Sequence, residues 1–224
     1  MCVINNNGRG ELDDDLERLS KTSHKFIEKI KVCNLPANIG CSGAWNLIIK
    51  THMMDPYWII VNNDISFSPG LLKELVEKSK KENVGMVKGK QFQWDLFLIK
   101  DFVIQQCGLF DENLYPAYME DCDYHIRLLN NNIEVDHLGC TYLHGDKDYE
   151  TSGSQTWRLD LSLKEKLDHA HQMNGGYMSE KWGFNWRNPD WSFNAYENPF
   201  NNHIIPMSYT CYNLEFVRNK NLGF

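Results

Sequence analysis

The sequence predicts an α/β fold with a mainly parallel central sheet flanked by helices, and two observations carry that reading. Short apolar runs alternate with segments of helical periodicity through the first two thirds of the chain, the order expected of strand and helix units built on one sheet. One run, Tyr57-Trp-Ile-Ile-Val61, is apolar at every position, as a strand covered on both faces would be. At 224 residues, 42% hydrophobic and 12% aromatic, the chain can bury one substantial core, and no repeat or low-complexity segment divides it.

In order, Cys2-Val-Ile is a short strand ending in the turn Asn5-Asn-Asn-Gly8, and Leu12, Leu16 and Leu19 mark an amphipathic helix behind three aspartates. Ile30 to Cys33 is a second strand, followed by a small-residue turn over Ala37 to Asn46 with Ser42 as N-cap of a helix reaching Thr51. After the Tyr57 strand come Asn62-Asn63-Asp64, then Ser68 as N-cap and Pro69 at the first position of a helix that buries Leu71, Leu72, Leu75 and Val76. Strands follow near Val84 to Val87, Phe97 to Ile99 and Ile133 to Val135, with Cys140 to Leu143 a further candidate. Leu159, Leu163 and Leu167 restore helical spacing. From Met173 onward Gly, Asn, Trp and Tyr dominate without a period, which predicts irregular segments wrapping the core. One domain results, divided as residues 1–95, 96–183 and a C-terminal wrap of 184–224.

A formal charge of −7 argues against a nucleic-acid partner, which needs a concentrated basic surface. No window approaches the roughly 18 apolar residues of a membrane span, and the polar start lacks a secretory signal, so a cytoplasmic protein is expected. Seven cysteines, an odd number without a Cys-x-x-Cys pair, fit reduced thiols rather than a disulfide framework or zinc site.

The segment Gly108 to Leu128 crowds acids where folding alone does not need them. Glu120, Asp121 and Asp123 open a helix whose apolar positions Cys122, Ile126 and Leu129 form one stripe; burial of that stripe would leave the acids at the rim. They complement the helix dipole, with Asp123 and Arg127 an i,i+4 ion pair, or they are catalytic. Ligands in open sheets gather at the carboxyl ends of strands, where Asn5 to Asn7, Asn38 to Ser42 and Asn62 to Asp64 all fall. Asp64 is placed to hold a hard divalent cation that touches a substrate phosphate; the plain alternative is an Asx turn. His144, just after a candidate strand, reaches the same site or is structural, and Asp146 and Asp148 are simpler as loop residues. Trp182, Trp186, Trp191 and Tyr196 offer ring faces for sugars, or pack in the core.

These residues resemble the family 2 glycosyltransferases of GT-A fold, most closely their rhamnosyltransferase-like branch. Asn38-Ile-Gly-Cys-Ser-Gly-Ala-Trp-Asn46 is similar to the family's Asn-x-Gly turn and helix, and Val61-Asn-Asn-Asp-Ile with Ser68-Pro-Gly to a variant of its Asp-x-Asp metal motif. Phe97-Leu-Ile-Lys, Cys107-Gly-Leu-Phe-Asp-Glu and Glu120-Asp-Cys-Asp through Arg127 resemble its acceptor-side block with the Glu-Asp pair, the most specific match. Tyr177-Met-Ser-Glu-Lys-Trp-Gly183 is similar to a late Lys-Trp-Gly element of that branch.

The resemblance implies a GT-A-like nucleotide-diphospho-sugar transferase fold with a compact N-terminus, and direct, inverting transfer of a sugar, hexosyl or deoxyhexosyl, from a nucleoside diphosphate to a hydroxyl of a glycan or glycoprotein. It implies Mn²⁺ or Mg²⁺ on Asp64 helped by His144, and Asp121 as general base. Glu120 would hold sugar hydroxyls, and Asp123, which also orients Arg127, would lie on the acceptor side with Trp182 and Trp94. Donor contacts would come from Asn5, Asn38, Gly40, Asn62, Asn63 and Asp64, with UDP the first choice of nucleotide and GDP or dTDP the alternatives. Two departures stand out: family members generally hold the base with two strands before the Asn-x-Gly turn, where only Met1 to Asn7 is expected to serve here, and they carry a longer sugar-facing loop where this chain has only Asn83 to Leu96. Gln91 to Asp95 takes that loop's place. The compaction is similar to that of small capsid-glycan glycosyltransferases of large algal viruses, which would place the protein in a host cytoplasm. A catalytically silent module of the same fold, binding sugar nucleotides or glycans, is the alternative from the binding class. An α/β phosphotransferase or nucleotidyltransferase ranks last, without a Gly-x-x-x-x-Gly-Lys loop.

Overall fold

The computed structural model describes residues 1–6, 8, 10–25, 27–66, 68–139, 142–144, 161–183, 185 and 198–202. Helices and strands alternate as the sequence predicts: β1 (Cys2–Asn5), α1 (Asp13–Lys21), β2 (Lys31–Asn34), α2 (Gly40–Thr51), β3 (Tyr57–Val61), β4 (Ile65–Ser66), α3 (Leu71–Ser79), β5 (Val84–Lys88) and β6 (Leu96–Lys100). They continue as α4 (Asp101–Cys107), α5 (Glu120–Asn130), β7 (Glu134–His137), β8 (Leu143–His144), α6 (Leu161–Trp182) and a short 3-10 turn (Pro199–Asn202).

The sheet is mixed, where the sequence predicts a mainly parallel one. In the order β3-β6-β5-β7, β6 runs antiparallel to both neighbours and only β5–β7 is parallel; β1–β2 form a separate parallel pair and β4–β8 an antiparallel one. The cause is the short connection 89–95: a parallel neighbour needs a crossover of a dozen or more residues, so the chain turns back on itself as a hairpin. β5 is buried at every position, while β3, an edge strand of this sheet, leaves Tyr57 and Val61 exposed.

Three helices depart from their predicted bounds. Ser42 does not cap α2 but lies buried inside it. The cap role passes to Asn38, whose Oδ1 accepts the Gly40 N–H at 2.8 Å, and to Asn6, whose Oδ1 accepts the Ile39 N–H at 2.8 Å. The helix after Ser68 and Pro69 begins at Leu71, with Gly70 in the left-handed region at φ 95°. α6 runs on to Trp182 through the stretch predicted to be irregular. Asn174, Gly175 and Gly176 are poor helix formers, yet buried Asn174, Tyr177, Met178 and Trp182 give this half a packed face that outweighs propensity. Of the predicted C-terminal wrap 184–224, Trp186, Trp191 and Tyr196 lie outside the described residues, as do Asn7, Asp146 and Asp148.

One face of the sheet packs on α2, α4 and α5 through an aromatic cluster, with Trp45 and Phe97 edge to face at 5.3 Å and Phe110 stacked on Tyr124 at 4.1 Å. α3 covers Val84, Val87, Leu96 and Leu98 with Leu71 and Leu75. α6 docks on α5 through Leu114, Met119, Ile126, Tyr177, Met178 and Trp182.

That docking encloses a charge cluster. Asp123 is fully buried and meets Arg127 Nη2 at 2.6 Å, Lys181 Nζ at 2.6 Å and the Trp182 indole N–H at 2.9 Å. Lys181 also meets Asp111 at 2.7 Å, whose carboxylate accepts the Tyr177 hydroxyl at 2.7 Å. Burial alone would raise the Asp123 carboxyl, but Arg127 and Lys181 outweigh it and hold it down at about 2. Removing one partner of such a cluster strands the others, so Asp123→Asn is expected to cost about 3–5 kcal/mol in urea unfolding. A loss under about 1 kcal/mol would show that the cluster is not a structural centre.

Candidate active site

The acids that open α5 do not share the rim the sequence predicts for them. Asp123 and Glu120 are buried, Asp121 is half-buried, and Leu129, expected in the buried stripe, is exposed. The helix turns its charged face inward because cations wait there for Asp123. Asp123 and Trp182 are therefore withdrawn from the acceptor contact expected of them: at 0% and 1% exposure neither presents a surface to a sugar.

The turn before α5 is strained. Tyr118 and Met119 both have left-handed backbones, φ 75° and 74°, which cost a side-chain-bearing residue on the order of 1 kcal/mol or more each. Fully buried Asn174 of α6 holds the turn, its Nδ2 donating to the carbonyls of Ala117 and Tyr118 at 3.0 Å each. From the other side the Asn38–Gly40 turn grips the same segment: the Tyr115 hydroxyl donates to Asn38 O at 3.0 Å and Cys41 N–H to Pro116 O at 2.7 Å. Gly40 (φ 80°) must be glycine, since a Cβ would stand 2.9 Å from Pro116 O.

Glu120 lies against Cys41 with one carboxyl oxygen buried and not hydrogen-bonded. Burial first, and the neighbouring Asp121 second, push its carboxyl up to about 8. It therefore holds its proton at neutral pH and is no base there. Asp121 lines a cavity of about 680 Å³ together with Lys88, Trp94, His125 and His137. Lys88 is buried, its Nζ donating to Gln91 O at 2.8 Å and lying 4.6 Å from the Trp94 ring; burial draws it down to about 8 against the pull of Asp121 and Asp95.

A second cluster forms around His144. Pairing of β4 with β8 sets His144 opposite Ile65 and so beside Asp64, with Nε2 3.3 Å from Asp64 Oδ2. On its other side Nδ1 lies 2.8 Å from Asp95 Oδ2, a close contact out of line for a hydrogen bond, while Asp95 Oδ1 accepts the Tyr142 hydroxyl at 2.6 Å. Gly89 makes room, as a Cβ there would meet the Tyr142 hydroxyl at 2.4 Å. The roles of Asp95 and Tyr142 carry no signal in the sequence, Tyr142 preceding the two-residue strand β8.

Among the described residues no group of three or more His, Cys, Asp and Glu side chains is gathered as a metal site. Asp64 and His144 are nevertheless a fitting pair. Asp64 Oδ1 and His144 Nε2 are buried without hydrogen-bond partners, and two ligands about 2.1 Å from one octahedral cation stand about 3 Å apart. Such a pair suits a cation that draws its remaining ligands from a diphosphate and water. The other expected donor contacts scatter. Asn62 is held by its N–H on Asp95 O at 2.8 Å and Asn63 is exposed. Asn5 is buried, its amide donating to Asp13 at 3.3 Å and Asn34 at 3.1 Å.

Residues 1–102 match glycosyl transferase family 2. In structure the chain is similar to the mannosyltransferase PcManGT from Pyrobaculum calidifontis, solved in complex with GDP-Man and Mn²⁺: the likeness covers 77% of this chain and 54% of that one, with a TM-score of 0.56 and 12% identity. The chain thus spans about half of that structure's length. No curated protein matches the chain in sequence. The fold is of GT-A type, and the family match adds support for a family 2 glycosyltransferase.

The Glu120 environment yields a pH test. Its folded pKa lies above its unfolded value, so between about pH 4.5 and 8 the folded state binds more protons and stability falls as pH rises. Glu120→Gln keeps a neutral group, and its melting temperature relative to wild type should climb as pH goes from 5 to 8. A difference that stays flat with pH would place the Glu120 titration elsewhere.

Proposed function

We propose that the chain is a metal-dependent, inverting glycosyltransferase that moves a sugar from a nucleoside-diphosphate donor to a hydroxyl of a glycan acceptor. The observation that carries this reading is the pairing, within a GT-A-type fold, of Asp64 and His144, which lies against Asp95 of the hairpin connection, with Asp121, which shares a cavity with Gln91 and Trp94 of the same connection. Lys88, which lines that cavity, feels the charge of both Asp121 and Asp95.

Such transfer has two obstacles: negative charge grows on the departing diphosphate, and the acceptor hydroxyl must lose a proton. Asp64 and His144 are the residues to hold Mn²⁺ or Mg²⁺, with Asp95, itself held by the Tyr142 hydroxyl, lying against Nδ1 of the imidazole whose Nε2 faces Asp64. When bound, the ion supplies Lewis-acid neutralisation of the diphosphate. Asp121 takes the hydroxyl proton as the acceptor oxygen attacks the anomeric carbon from the face opposite the diphosphate, whose bond to that carbon breaks; configuration therefore inverts. Glu120, keeping its proton, spares Asp121 a second negative charge next to it. The neighbour's GDP-Man places GDP-mannose beside UDP- and dTDP-sugars in the donor screen.

Asp121→Asn is expected to lower Mn²⁺-dependent release of nucleoside diphosphate by about 10²–10⁴-fold with the melting temperature held. Undiminished turnover would overturn the base assignment, and binding of nucleotide without any product in the wild type would favour a silent binding module. Because outer-shell carboxylates typically contribute 10–100-fold to metal affinity, Asp95→Asn should weaken Mn²⁺ binding by about that factor in calorimetry with a nucleoside diphosphate present. Unchanged Mn²⁺ affinity would remove Asp95 from the site.

A further inference from the structure

The cavity at Asp121 is polarised along its length. β5 and β7 run parallel in register, with Lys88 opposite His137 at their carboxyl ends and Met86 opposite Val135 deeper in. Lys88 and His137 thus gather with Asp121 at one end. Ile133 and Val135 line the other with Leu128 and Leu129 from the far end of α5, and His125 lies between. On α5 the lining positions Asp121, Cys122, His125, Leu128 and Leu129 make one continuous helical stripe. From Asp121 to Leu129 that stripe is about 12 Å long at about 1.5 Å per residue. At the rim two lining apolar side chains are exposed, Phe92 at 85% beside Gln91 and Leu129 at 50% at the far end of α5.

We propose that this cavity is the acceptor site, and that it takes a glycoside whose non-reacting end is a hydrocarbon chain: the hydroxyl sits at Asp121 and the chain lies along α5 toward Leu129 and Ile133. The inference rests on the glycosyltransferase reading and adds to it the chemical class of the acceptor. The polar end offers a carboxylate to take the proton, and the Lys88 ammonium and the His137 imidazole, whose pKa burial and Lys88 lower, offer N–H donors to neighbouring sugar hydroxyls. The apolar end has no charged lining side chain among the described residues, so a free polyhydroxylated sugar would leave it poorly paired, whereas methylene groups would fill it. With the sugar at the polar end, the stretch from His125 to Leu129 is about 6 Å long at about 1.5 Å per residue and seats about four or five carbons, the rest of a longer chain running out past the exposed Leu129.

The test compares matched methyl and octyl glycosides of glucose, galactose and mannose, kept below their micelle concentrations, by calorimetry on the full chain. Each buried methylene is worth about fourfold in affinity, so the octyl member should bind at least about thirtyfold more tightly in every pair. Leu129→Asp, at an exposed position that folding tolerates, should cut that ratio below about fivefold. Equal binding of methyl and octyl members overturns the proposal, and so does a preference that survives Leu129→Asp, since the chain then lies elsewhere. Nucleotide-sugar hydrolysis, measured separately, keeps the two readings apart: turnover without a chain preference refutes only the acceptor class, and a chain preference without turnover refutes only the transferase.

Discussion

The burial of Asp123 is the constraint on which the rest of the site depends. A carboxylate with no exposure would be ruinous alone, and it is tolerated because Arg127, Lys181 and the Trp182 indole converge on it. Two of those three partners come from the end of α6, so the ion cluster fixes where that helix lies against α5. Once α6 is fixed, Asn174 two turns earlier falls opposite the Tyr118–Met119 turn and holds its unfavourable backbone in place. That turn in turn aims Glu120 and Asp121. The late Lys-Trp-Gly element therefore acts on the chemistry from behind, through the helix that bears the acids.

Within that first turn of α5, two buried carboxylates meet opposite fates. Asp123 finds two cations and is held at about 2; Glu120, buried and next to the charge of Asp121, rises to about 8 against the hydrogen bond of the Cys41 thiol. Both shifts come from the surroundings and not from the residue type. Environments that push neighbouring acids apart are how one site keeps one group protonated while another works as a base, and here they leave Asp121 as the member of the trio that reaches the cavity.

Much of this could be read from the sequence wherever a local pattern carried the signal. β3 falls on Tyr57–Val61 as expected, α2 ends at Thr51, and Asp64 and His144, eighty positions apart, do come together. What escaped was set by tertiary partners. The burial of Asp123 depends on Lys181, far along the chain, and periodicity cannot announce a cation waiting inside a core. α6 passes through Gly175 and Gly176 because the residues around them pack, a fact that propensity does not contain. The antiparallel β6 was foreshadowed by the short stretch before Phe97, since that span is too brief for a crossover.

That same shortness ties the two halves of the site together. Between Lys88 and Leu96 the chain serves both clusters: Lys88, Gln91 and Trp94 line the cavity at Asp121, while Asp95 lies against His144 and Gly89 makes way for Tyr142. A long sugar-facing loop could adjust one side independently of the other. A tight hairpin anchored on fully buried β5 and β6 cannot, because a shift that moves Asp95 away from His144 also moves Trp94 and Lys88 at the cavity. The compact connection thus makes the orientation of His144 and the shape of the cavity at Asp121 a single mechanical variable. Substitutions at Gly89 or Asp95 should be felt at both ends of the reaction at once.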